Sequence, residues 1–116
     1  MLTGRNHPSV GRGGITEIAT GAPGYCSVLR NTAAPLAKTL KLNGYNTAQF
    51  GKCHEVPVWQ SSPVGPFDQW PTGGGGFEHF YGFIGGEAHQ WYPSLYDGTT
   101  PIEVEKTPEE GYHFME

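Results

Sequence analysis

Hydrophobic and polar positions follow a regular pattern in the middle of the chain. Within residues 31–43, Ala33, Leu36, Ala37 and Leu40 recur at helical spacing, while Lys38 and Lys41 fall on the opposite face. This predicts an amphipathic helix over 31–43. Thr32 is suited to cap its amino end, and Pro35 is tolerated in a first turn. The two lysines complement the dipole at its carboxyl end, and Asn43-Gly44 supplies the stop. Residues 45–50 then read as a strand. A helix followed by a strand is half of a βαβ unit and predicts an α/β fold with a largely parallel sheet.

Elsewhere the pattern breaks into short pieces. Residues 1–5 read as the last turn of a helix, with Gly4 at a left-handed stop. Residues 6–14 form a glycine-rich loop that carries His7 and Arg12. Residues 15–20 are a brief extended or helical turn, and 21–25 a turn or loop. Residues 56–59 read as extended and 61–66 as a turn-rich loop. The aromatic run 77–83 reads as a short helix or turn packed on the sheet. Asp97-Gly98 is a hairpin-type turn, with residues 102–105 pairing after it. Residues 106–116 read as an acidic surface loop. No internal repeat and no domain boundary divides the chain.

Composition narrows the picture. At 116 residues the chain has the size of one small domain. Only 36% of it is hydrophobic, while 18 glycines and 10 prolines make it loop-rich. Aromatic residues at 13% argue against disorder. So sparse a core predicts that the chain is marginally stable by itself. The net charge of −4 gives no basic field for nucleic acid. No apolar stretch approaches the ~18–20 residues of a membrane span. Cys26 and Cys53 lack metal spacing and read as free thiols. The five histidines show no zinc pattern. Neither the glycine run 73–76 nor Gly51-Lys52 has the spacing of a Walker loop.

The chemistry concentrates at Gly51-Lys52-Cys53-His54. In an extended segment, residues i and i+2 point to one side, so Lys52 and His54 are expected to converge. They would do so beyond the carboxyl end of a strand, where open α/β sheets bind ligands. A fixed cation suits sulfate or phosphate, and an imidazole can exchange a proton near neutral pH. The bland alternative is a solvated lysine beside a structural histidine.

The run Gly44-Tyr45-Asn46-Thr47-Ala48-Gln49-Phe50-Gly51-Lys52-Cys53-His54 resembles the second signature of the sulfatases, within the alkaline-phosphatase superfamily. The family usually has an aromatic residue where Cys53 stands. Leu2-Thr3-Gly4-Arg5 resembles the tail of the first signature, which begins Cys (or Ser)-x-Pro-Ser/Thr-Arg. Gly76-Phe77-Glu78-His79-Phe80-Tyr81-Gly82-Phe83 resembles a later segment of bacterial arylsulfatases. The three landmarks fall in the family's order.

The resemblance implies that residues 1–116 are a partial sulfatase catalytic domain, a loop-rich piece of an alkaline-phosphatase-like sandwich. It would lack the nucleophile segment and the carboxyl-terminal half. The parent would hydrolyse small-molecule sulfate esters, as an arylsulfatase does, and this piece alone would be inactive. Lys52 and His54 would be catalytic, Lys52 also binding a sulfate oxygen, and His7 is a further substrate-facing candidate. The nucleophile would be a formylglycine made from a cysteine upstream of Met1. Ca²⁺ would be held by ligands outside this chain; Asp68 and Asp97 are assigned no metal role. The missing remainder of the domain would be the main partner. The compartment is left open between periplasm and cytoplasm of a bacterium. Two alternatives stand beside this reading. One is a phosphoesterase or phosphonate hydrolase of the same superfamily. The other is a non-catalytic carbohydrate-binding surface using Trp70, Trp91 and Tyr92.

Overall fold

A computed structural model describes residues 2–110. Its framework is a four-stranded sheet of order β1-β2-β3-β4, formed by Ala48–Lys52, His79–Phe83, Leu95–Asp97 and Thr100–Ile102. β1 and β2 are parallel, the pairing expected of an α/β fold, whereas β2–β3 and β3–β4 are antiparallel. The sheet is therefore mixed rather than largely parallel. Residues 53–78 cross from β1 to β2 without an α-helix, through a 3-10 turn at Val58–Gln60 and the glycine run.

One α-helix precedes the sheet. α1 spans Leu36–Leu42, shorter than the 31–43 expected, and Pro35 rather than Thr32 stands at its N-cap. The proline ring disfavours helical backbone at Ala34, so the helix cannot begin earlier. Asn43 is the C-cap and Gly44 takes a left-handed φ of 84°, the stop expected from sequence. Ala33 and Ala37 are buried, but Leu36 is exposed. The Leu36 amide donates to the Leu2 carbonyl at 2.7 Å, docking the amino-terminal segment on the helix. Residues 2–5 are turns and bends, not the end of a helix. Met1 and residues 111–116 lie outside the described residues, and with them part of the expected surface loop at 106–116.

Three further expectations shift. The aromatic run 77–83 contains strand β2, not a helix or turn. Its burial alternates at His79, Phe80, Tyr81 and Gly82, the period of a strand with one covered face. The stretch 56–59 is not extended throughout, because Val58 opens a 3-10 turn. The hairpin closes on Gly98 and Thr99, with Asp97 paired to Thr100, so β4 begins two residues before the expected 102–105 and shares only Ile102 with it.

The core lies on the sheet and under the crossover. Cys53, Val56, Trp70, Phe80, Ile84 and Tyr96 form one buried cluster, with Phe67 packed against it. Trp70 is completely buried. Its ring meets Phe67 and Tyr96 edge-on, at 5.2 Å and 5.0 Å between centroids. Its indole N–H donates to the Gln60 carbonyl at 2.6 Å, so no polar group is stranded. The glycine run coils tightly beside it. The Gly74 amide donates to the Asp68 carbonyl at 2.6 Å, and a side chain on Gly76 would press on the backbone of Lys38 in α1. Thr47 ties the run to the start of β1, its hydroxyl donating to the Gly76 carbonyl at 3.1 Å.

Candidate functional site

β1 and β2 come unusually close at one point. Gly51 faces Gly82 in the register, and a Cβ on Gly82 would overlap the Gly51 carbonyl. Gly51 has a φ of 89°, which turns the strand near its end. Regular pairing extends one bond further, where the Cys53 amide donates to the Phe83 carbonyl at 2.8 Å. The chain then turns over His54 and Glu55. His54 therefore sits just beyond the carboxyl end of β1, and Ile84, Gly85 and Gly86 leave the carboxyl end of β2 beside it. This is the place where parallel strands open toward a ligand.

A cleft of about 250 Å³ opens here. Its walls include Cys53, His54 and Glu55 from the turn after β1, Arg5 from the amino-terminal turns, and His7 and Arg12 from the glycine-rich loop. Lys52 does not line it. The left-handed backbone at Gly51 and the turn at His54 interrupt the i, i+2 alternation that would have aligned the two side chains. His54 and His7 share the cleft, whereas Lys52 is exposed at the end of the strand.

The His54 imidazole is held from two directions. Its Nε2 lies 2.7 Å from Oε1 and 2.8 Å from Oε2 of Glu17. A carboxylate only accepts, so Nε2 carries the proton in this contact. The ring also rests on Gly86, where a Cβ would come within 2.7 Å of the imidazole Cε1. Glu17 belongs to a 3-10 turn, Thr16–Ile18, and the Thr16 hydroxyl donates to its Oε2 at 3.3 Å. The hydrogen bond from His54 is the main cause that holds the Glu17 carboxyl below its ordinary pKa. Glu55, the acidic neighbour of His54 in sequence, does not make this contact. Nothing in the spacing of Glu17, some way upstream in a short β-branched run, marked it as the partner.

The remaining groups brace the loop. The Arg12 guanidinium donates to the Glu55 carbonyl and reaches Gln69 Oε1 at 3.5 Å. The same Gln69 oxygen accepts from the Leu29 amide at 2.8 Å. Burial lowers the Arg12 pKa from its ordinary value. His7 Nδ1 donates to the Arg12 carbonyl at 3.2 Å, so its proton in this contact is on Nδ1. The Cys53 thiol is pushed up to about 11, chiefly by burial, which keeps it protonated and inert at neutral pH.

A second hollow, about 400 Å³, lies between the end of β2 and residues 87–96. His89 Nδ1 accepts from the amides of Trp91 and Tyr92 at 3.2 Å and 3.0 Å, and the Tyr92 ring stands 5.6 Å from the imidazole. Trp91 and Tyr92 are exposed, but Trp70 is not. An aromatic sugar-binding platform uniting all three is therefore ruled out by the burial of Trp70 in the core. Among the described residues, no group of three or more His, Cys, Asp or Glu side chains could hold a metal ion, and no helix is long and apolar enough to cross a membrane.

A family model described as Sulfatase matches residues 1–115. No curated protein gives a significant match to the chain.

Proposed function

Because this chain belongs to the sulfatase family of sulfate-ester hydrolases, we propose that it is part of the catalytic domain of an arylsulfatase-type enzyme. His54 would stand in the wall of its active site, and Lys52 would act from the exposed end of β1 outside that wall. The observation that carries the proposal is the position of Lys52-Cys53-His54. Lys52 ends the first of two parallel strands, and Cys53 and His54, which follow it, line the cleft that His54 shares with His7. The aryl preference rests on the resemblance of residues 76–83 to the bacterial arylsulfatases.

Sulfate-ester hydrolysis needs a nucleophile at sulfur, cations for the sulfate oxygens and an acid for the leaving group. Lys52 would supply an exposed ammonium for a sulfate oxygen. His54 would take up and return a proton. Its Nε2–H is engaged by Glu17, so Nδ1 is the ring atom open to that exchange among the described residues. His7 faces the same cleft and is a substrate contact of lesser weight.

Two groups implied by the resemblance do not fit the residues present. The first is formylglycine. Cys26 is followed by Ser-Val-Leu-Arg and Cys53 by His-Glu-Val-Pro, and neither is the x-Pro-Ser/Thr-Arg of the modified cysteine. The second is Ca²⁺, for which no cluster of carboxylates stands among the described residues. Both belong, on this proposal, to segments of the parent protein beyond residues 1–116. Exposed Leu36, Leu42, Tyr45 and Phe50 support it, since they give α1 and β1 an apolar surface for the remainder of the domain to cover.

The test uses the full-length parent enzyme with nitrophenyl sulfate and nitrophenyl phosphate. Turnover of the sulfate ester is expected to exceed that of the phosphate ester. Lys52→Ala is expected to lower kcat/KM for the sulfate by on the order of 10²-fold, as loss of one charge-stabilising donor does. A preference for the phosphate ester, or a Lys52→Ala enzyme with unaltered kinetics, would sink the reading.

A further inference from the structure

The contact between His54 and Glu17 joins two segments that lie far apart in the chain. One is the turn after β1; the other is a 3-10 turn in the loop region, 37 residues earlier in the chain. Both carboxylate oxygens lie within 2.8 Å of one nitrogen. The ring is fixed from below as well, by its contact with Gly86. His54 is about a quarter exposed and Glu17 about half, at 25% and 47% of their side-chain surfaces. An exposed pair of this kind contributes little to stability. Two oxygens closing on one imidazole nitrogen are better explained by what they do to the ring.

We infer that Glu17 is a positioning residue for His54. It keeps the ring proton on Nε2, fixes the ring plane over Gly86 and so leaves Nδ1 as the ring atom that exchanges the proton. The inference rests on the reading of His54 as the proton-exchanging group. A carboxylate hydrogen-bonded to the far nitrogen of an imidazole sets its tautomer and favours the protonated ring that forms during proton transfer. The other charged groups on the cleft do not compete for that role. Arg12 is committed to the Glu55 carbonyl and Gln69, and His7 to the Arg12 carbonyl. Arg5 is a cation, and the Cys53 thiol is protonated at neutral pH. Glu55 contributes its backbone carbonyl, to Arg12. The lowered pKa of the Glu17 carboxyl agrees with the geometry, because it keeps the carboxylate ionised over the range in which an imidazole exchanges protons.

The experiment compares Glu17→Ala, Glu17→Asp and His54→Ala in the full-length enzyme acting on nitrophenyl sulfate. Glu17→Ala is expected to lower kcat by roughly 10–100-fold, the loss typical when a carboxylate that orients a metal-bound histidine is removed. This is less than the ~10⁴-fold of a buried catalytic carboxylate, because Glu17 is half exposed. KM and the thermal midpoint should stay unchanged. Glu17→Asp should restore part of kcat, since a carboxylate is again available. In this chain, nuclear magnetic resonance should show the Glu17 carboxyl titrating at a higher pH once His54 is changed to alanine. If His54→Ala abolishes turnover while Glu17→Ala leaves kcat intact, the positioning role is overturned and the role of His54 stands. If His54→Ala itself turns over normally, the reading beneath both fails.

Discussion

The sheet and the glycine-rich segment before it are built on opposite principles. Residues 44–102 carry all four strands and the cluster around Trp70, and they are held by apolar burial. Residues 6–30 hold two short 3-10 turns, and Val10 is their one buried hydrophobic residue among those described. What orders this segment is polar. Gly13 donates to the Gly24 carbonyl at 2.8 Å, Ser27 to Gly11 at 2.8 Å and Thr20 to Tyr25 at 2.9 Å. It also bears strain. Ser27 has a left-handed φ of 56°, and its buried hydroxyl has no partner among the described residues. Its links to the sheet half include Arg12 to the Glu55 carbonyl and Glu17 to His54, both at the turn that ends β1. The contrast teaches that a loop held by polar contacts leans on a scaffold held by apolar burial: the sheet half presents Glu55 and His54 at the turn after β1, and the loop half brings Arg12 and Glu17 to meet them.

Removing the scaffold should have the largest effect. Trp70→Ala deletes a fully buried ring and the indole bond to Gln60. A loss of about 3–5 kcal/mol is expected. In a chain with so small a core this should unfold both halves, because the loop region has little burial of its own. Urea unfolding followed by hydrogen exchange would check it. Retained protection at Gly13 and Ser27 after loss of the sheet would break the comparison, showing that the loops fold independently.

A smaller effect should appear at alkaline pH. The Cys53 thiol is raised from an ordinary value of 9.0 to about 11, so the folded chain holds its proton more tightly than the unfolded one. The stability it contributes is complete below pH 9 and falls as the pH rises toward 11. Across that window about 2–3 kcal/mol should be lost, since one bound proton is worth roughly 1.4 kcal/mol for each pH unit between the two values. Denaturation at stepped pH would measure it, with Cys53→Ala as the control that flattens the slope. An unchanged slope would mean that the thiol is open to water and that the core ends short of the turn. Smallest of all is the expected change in thermal stability for Glu17→Ala, whose effect should be confined to turnover.

The sequence made the scaffold legible where periodicity was clear. The end of α1 at Asn43-Gly44 could be read directly, because a glycine in the left-handed region is a local requirement. Its start could not be placed by counting apolar residues, since Pro35 overruled the earlier turn. β2 escaped notice because Gly82 breaks its aromatic run, and that glycine is required by Gly51 across the strand pair, a contact invisible in one dimension. At the site, Lys52 and His54 stood out through their resemblance to a signature. Their expected alignment assumed an uninterrupted strand, and the left-handed Gly51 interrupts it. Glu17 carried no local signal at all. Its partner is distant in sequence and is reached only because the loop folds back on the end of β1.

The most direct test of the central claim is the turnover number of the full-length enzyme on an aryl sulfate after His54→Ala. If the turn beyond β1 is where this protein exchanges a proton with its reacting groups, kcat should fall by on the order of 10²–10⁴-fold with the fold intact. A folded His54→Ala enzyme with normal turnover would contradict that claim and move the chemistry to another part of the parent protein.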